Sequence, residues 1–152
     1  MKPFIFLSIL MLSAFSQAQL AMTDGSVRAM PPGQPNTAAF LSLTNSSNQD
    51  IELIGASTTV ANKAEYHSHT KDDKGVMRMA KEDSVKIPAG KTFEFKTGGH
   101  HIMIMGLKKA LTPGETVQIT LTDSKGKTYP LEFPVVSIMA EPKQHDHSHH
   151  HH

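Results

Sequence analysis

From residue 24 onward the chain alternates apolar and polar positions in short runs, each cut by turn-forming residues. Alternation with period two is the mark of half-buried strands. Residues 26–28 form a first candidate, stopped by Pro31-Pro32-Gly33-Gln34-Pro35, which cannot continue a ladder. In 37–44, Ala39, Leu41 and Leu43 point one way and Phe40 and Ser42 the other. Asn45-Ser46-Ser47-Asn48 turns the chain into a strand at 49–54, which predicts a hairpin between the two. Further strands are expected at 64–69, 76–80, 84–87, 92–96, 102–105, 116–122 and 128–135, with a helical turn conceivable at 107–111. Nine or ten short strands at regular spacing predict an all-β fold, an antiparallel sandwich or barrel with Greek-key connections.

The two ends break this pattern. Residues 1–18 carry Lys2, then an apolar run from Phe4 to Phe15, then the small residues Ser16-Gln17-Ala18. That is the layout of a cleaved secretory signal, and a run of about a dozen apolar residues is short of the roughly 20 that span a bilayer. The mature chain is expected in the periplasm, with one domain over 19–138 and no membrane insertion after cleavage. Residues 139–152 lack the apolar content to pack and read as a disordered tail rich in histidine: His145, His147, His149, His150, His151 and His152. Its irregular start, His145-Asp146-His147-Ser148, reads as native sequence rather than an expression tag.

Composition narrows the function. Setting Lys2 aside with the leader, basic and acidic residues balance at 14 each, which argues against nucleic acid or an anionic membrane as partner. Cysteine is absent, which removes disulfides, iron–sulfur clusters, thiol catalysis and cysteine-ligated blue copper. No nucleophile paired with a base, no paired acids and no phosphate-binding loop appear, so an enzyme is not expected.

All ten histidines lie in the tail or in two stretches that also carry methionine. The first is Tyr66-His67-Ser68-His69 with Val76-Met77-Arg78-Met79; the second is Gly98-Gly99-His100-His101-Ile102-Met103-Ile104-Met105. Strand parity puts His67 with His69, Met77 with Met79, and His101 with Met103 and Met105, while Ile102 and Ile104 take the core side. A lone methionine is more often a core filler, but paired methionines opposite apolar faces in histidine-bearing stretches point to a metal. Thioether with imidazole suits Cu(I); zinc sites rarely use thioethers, and Cu(II) prefers the nitrogen and oxygen donors that the tail offers.

The spacing of these residues resembles the periplasmic PCu(A)C-type copper chaperones. Their motif is a histidine, a position often methionine, ten residues, a methionine, twenty-one residues, then His-x-Met. This chain has His67, Ser68, ten residues, Met79, twenty-one residues, then His101-Ile102-Met103. The flanks Arg28-Ala29-Met30-Pro31-Pro32-Gly33 and Met105-Gly106-Leu107 are similar too, and the likeness runs from Asp24 to Phe133. One departure is Ser26, where family members often carry tryptophan before the first Val-Arg.

The resemblance implies a cupredoxin-like fold, no enzymatic activity and a Cu(I) site of His67, Met79, His101 and Met103. It implies delivery of copper to an acceptor such as the dinuclear copper centre of cytochrome c oxidase or a Sco-type copper protein, by a monomer. His69, Met77, His100 and Met105 are extra donors, His100 by parity facing away. A copper-resistance or storage protein using the same site plus the tail, where Cu(II) would bind, is the alternative. A metal-free structural sandwich is the rival in which the methionines only pack.

Overall fold

The computed structural model describes residues 19–138, together with Pro3. The expected leader and tail therefore lie outside the described residues. Among the described residues ten strands run in order: β1 (Leu20–Arg28), β2 (Asn36–Asn45), β3 (Ile51–Thr58), β4 (Ala61–Lys71) and β5 (Met77–Glu82). They continue as β6 (Val85–Ile87), β7 (Thr92–Phe95), β8 (His101–Leu107), β9 (Thr116–Asp123) and β10 (Thr128–Val136). Among the described residues no helix is long and apolar enough to cross a membrane.

The strands β4-β8-β2-β1-β10-β9-β3 follow one another as hydrogen-bonded neighbours, and β3 pairs back onto β4, closing a seven-membered barrel. Closure removes sheet edges that would otherwise invite pairing with other chains. β5, β6 and β7 attach outside this ring on β4, β3 and β2. The pairings are antiparallel except β1 with β10, which runs parallel through Val27↔Val135 and Arg28↔Val136. Alternation explains the core: Leu41 and Leu43 from β2, Ile102 and Ile104 from β8, and Ile119 and Leu121 from β9 are all buried inside.

Two expectations are corrected. The hairpin between β2 and β3 does not form; β2 pairs with β1, β7 and β8, and β3 with β4, β6 and β9. Asn45 explains the difference. It is fully buried, and its amide donates to Gln49 O (2.7 Å) and Ile87 O (2.9 Å) while its Oδ1 accepts from Ser47 N (3.0 Å). These bonds carry the chain across the end of the barrel rather than back along β2. The helical turn at 107–111 is also absent: β8 runs to Leu107, and Leu111 makes a bridge to Met30. Elsewhere the strands match expectation, with β1 beginning earlier, at Leu20.

Two positions give stability predictions. Gly106 has φ +72°, and a Cβ there would lie 2.7 Å from Asn62 Nδ2 and 3.0 Å from Asn62 Cβ. Left-handed backbone costs a side chain about 1–2 kcal/mol, so Gly106→Ala should destabilise by at least about that much in denaturant titration. At the β9–β10 turn, buried Asp123 accepts from Lys125 N, Lys127 N and Tyr129 Oη, each at 2.9 Å. Burial pushes its carboxyl up, but the Tyr129 hydroxyl and the two backbone amides outweigh that and hold it below the ordinary value. A carboxyl lowered by folding adds stability above its unfolded pKa of about 4, lost as pH falls through the folded value. Asp123→Ala should therefore cost about 2 kcal/mol at neutral pH, and less in unfolding titrations below about pH 4.

Candidate metal site

β4 lies between β5 and β8, and the register of these three strands builds the donor face. On β8 the buried Ile102 and Ile104 point inward, so His101, Met103 and Met105 point to the outer surface of the barrel. Over residues 65–69 of β4, Tyr66 and Ser68 are the buried residues, which turns Glu65, His67 and His69 outward. Directly paired residues share a face. The central row is His101 (β8), His67 (β4) and Lys81 (β5), because His67 pairs with both of the others.

One row to one side, Met103 sits opposite Glu65; one row to the other, His69 sits opposite Met79. Met105 opposite Lys63 and Met77 opposite Lys71 are two rows away from the histidine pair. A row is two residues of strand, about 7 Å. The register thus gathers His67 and His101 side by side, with Met103 and Met79 one row off on opposite sides. Met77 and Met105 begin a further row out. His100 turns away, its ring edge-on to Phe93 (5.0 Å between centroids) and to Phe95 (6.4 Å), as parity predicts.

The imidazoles are close. Ring centroids of His67 and His101 are 5.8 Å apart, and His69 is 5.2 Å from His101. His69 is thereby the extra donor nearest the pair, and its amide donates to Gly99 O at the turn into β8 (3.3 Å). His101 is buried, and burial pushes its pKa below the ordinary histidine value, with His69, His67 and Arg28 adding repulsion. A hydrogen bond with the Gly99 backbone pulls the other way. Neutral imidazole is the form that binds metal. His67 Nδ1 is buried and has no hydrogen-bond partner.

The methionines complement this pair differently. Met103 is partly buried beside it, whereas Met79 is 48% exposed on β5, the outermost strand on this side. Met77 is equally exposed at 48%. Among the described residues no three or more of His, Asp and Glu come together as a metal-holding group. The thioether sulfurs that border the imidazoles are soft donors, of the kind that suits a soft ion.

Several neighbours had little or no sequence signal. Phe40 lies 6.4 Å from the His101 ring, and the Arg28 guanidinium stacks 4.7 Å over Phe40 and donates to Thr97 Oγ1. Nothing in the spacing of residues 28, 40 and 101 announces that contact. Glu65 was accessible by parity, being two residues before His67 on the same face, yet a carboxylate does not advertise itself beside soft donors.

Comparison with known proteins agrees with this architecture. The LpqE-like family model matches residues 20–135, the whole barrel. "Putative lipoprotein Lxx21020" of Leifsonia xyli subsp. xyli is 38% identical over 104 residues, 68% of this chain. This chain spans 62% of that relative's length. The solution structure of CuI-DR1885 from Deinococcus radiodurans superposes with a TM-score of 0.60 at 34% identity, covering 82% of each chain. The copper-bound PCuAC domain from PmoF2 gives a TM-score of 0.65 over 79% of this chain and 94% of its own; at 18% identity that is a likeness of fold. The resemblance drawn from the His/Met spacing is thus borne out, and the chain belongs to the LpqE-like family, with the β-barrel of the PCuAC-type domains.

Proposed function

We propose that the protein is an exported copper chaperone that carries one Cu(I) on the outer face of β4, β5 and β8. His67 and His101 supply nitrogen, and Met79 and Met103 supply sulfur. The observation that carries this reading is the register: His67 and His101 are direct cross-strand partners, with one methionine a single row away on either side. Copper is cargo in this scheme, so it must be held and then released. His101 is buried and Met79 half exposed on an outer strand. Met79 is therefore the donor that an incoming ligand displaces first, and the imidazoles let go last. A flexible thioether suits such stepwise exchange.

Several further points support export and delivery. The leader expected at 1–18 and the lipoprotein name of the Leifsonia relative support export, and the periplasm would be the destination. The acceptor would be the dinuclear copper centre of cytochrome c oxidase or a Sco-type copper protein. The histidine-rich tail would gather Cu(II). β10 ends at Val136, the partner of Arg28, which stacks on Phe40 beside His101. Through Arg28 and Phe40 the C-terminal end of β10 thus borders the donor face.

Mixing Cu(I)-loaded protein with a metal-free oxidase copper domain tests the role. Copper passing to the acceptor, with loss of metal from this protein, is the expected result; retention of all copper would count against delivery. The storage reading draws on His69, Met77 and Met105 sharing the same outer face. Binding of more than two coppers per tail-deleted chain would favour it.

A further inference from the structure

Glu65 and His67 lie two apart on the outer face of β4, with side chains only 16% and 14% exposed. Glu65 Oε2 is 3.0 Å from His67 Nε2. Its other oxygen, Oε1, faces Lys63 Nζ at 3.4 Å and Lys81 Nζ at 3.9 Å. An ionised carboxylate only accepts hydrogen bonds, so the contact requires the proton to be on Nε2. A neutral imidazole has one N–H, and the second nitrogen is then a bare lone pair. That second nitrogen, Nδ1, is the buried side-chain atom left without a partner. A buried acceptor in that state is costly unless a ligand fills it.

We propose that Glu65 is a positioning residue for copper: by accepting Nε2–H it fixes the tautomer and ring orientation of His67, so that Nδ1 is the atom offered to Cu(I). The inference rests on the reading of His67 as a copper donor. Glu65 acts through His67 and is not itself a ligand; its oxygens are hard donors, and two ammonium groups and an imidazole already engage them. It also sits directly across from Met103, so one carboxylate borders both a nitrogen and a sulfur donor. Carboxylate partners of metal-binding histidines generally do this work, and their loss weakens metal binding about 10- to 100-fold.

Imidazole nitrogen NMR on the full chain tests the assignment, first metal-free and then with one equivalent of Cu(I) under reductant. The expected spectrum has the His67 proton on Nε2 and protected from exchange in both states, while Cu(I) shifts Nδ1. This assignment needs no variant. Glu65→Ala should abolish that protection and weaken Cu(I) binding about 10- to 100-fold. Glu65→Gln, whose carboxamide oxygen still accepts Nε2–H, should restore most of both; a merely structural role would leave the nitrogen assignment unchanged in Glu65→Ala. Copper bound through Nε2, or parental affinity in Glu65→Ala, would overturn the role of Glu65 and leave His67 standing as a ligand. Cu(I) that binds without moving either His67 nitrogen would overturn the donor set as well.

Discussion

Ile102→Ala and Ile104→Ala should each destabilise the metal-free protein by about 2–5 kcal/mol, while Met103→Ala between them should cost about 1 kcal/mol or less. Both isoleucines are fully buried in the barrel, where removed methyl groups leave a cavity that neighbours fill only in part. Met103 is on the opposite face of the same strand, partly open to solvent beside Glu65 and Ala38. Three consecutive residues thus give a large, a small and a large effect. Urea or guanidinium unfolding of metal-free samples reads this directly, since a bound metal would add its own stabilisation to the folded state. A loss for Met103→Ala as large as for the isoleucines would place its side chain in the core and remove it from the donor face.

That contrast is also the part of the structure most legible beforehand. Residues 101–105 alternate so clearly that parity alone separates the donor face from the core face. Parity likewise sent His100 away from the site, where it stands against Phe93 and Phe95. What parity cannot supply is register between distant strands. His67 and His101 are separated by β5, β6 and β7 in the chain, yet meet because β4 pairs with β8. Their spacing matched a known motif, but the adjacency itself follows from barrel closure, a property of the whole fold. The failed β2–β3 hairpin shows the limit from the other side: Asn45 looks like a turn residue, and only its buried bonds to Gln49 and Ile87 reveal which way it sends the chain. Arg28 and Phe40 came to the site the same way, because β1 lies beside β2 and β2 beside β8.

Replacing His101 and Met103 together by alanine should weaken Cu(I) binding by at least about 100-fold, since loss of even an outer partner of a metal ligand costs 10- to 100-fold. The pair removes one nitrogen and one sulfur and leaves His67 and Met79, on neighbouring strands and a row apart. Burial favours the neutral, metal-ready imidazole at His101, so its loss takes away a donor that needs little deprotonation near neutral pH. Met77→Ala with Met105→Ala is the matched control, because both are two rows from the histidine pair. It should leave affinity near the parental value in competition against a Cu(I) chelator. Equal losses in the two double variants would mean that the face binds copper diffusely, as a storage surface would.

Methionine methyl NMR during addition of one equivalent of Cu(I) reads the donor set at the atoms concerned. The methyls of Met79 and Met103 should move together to a single saturated position, while those of Met22 and Met30 stay in place and those of Met77 and Met105 respond weakly. Saturation on Met77 and Met105 with Met79 and Met103 unmoved would contradict the site built from His67, Met79, His101 and Met103.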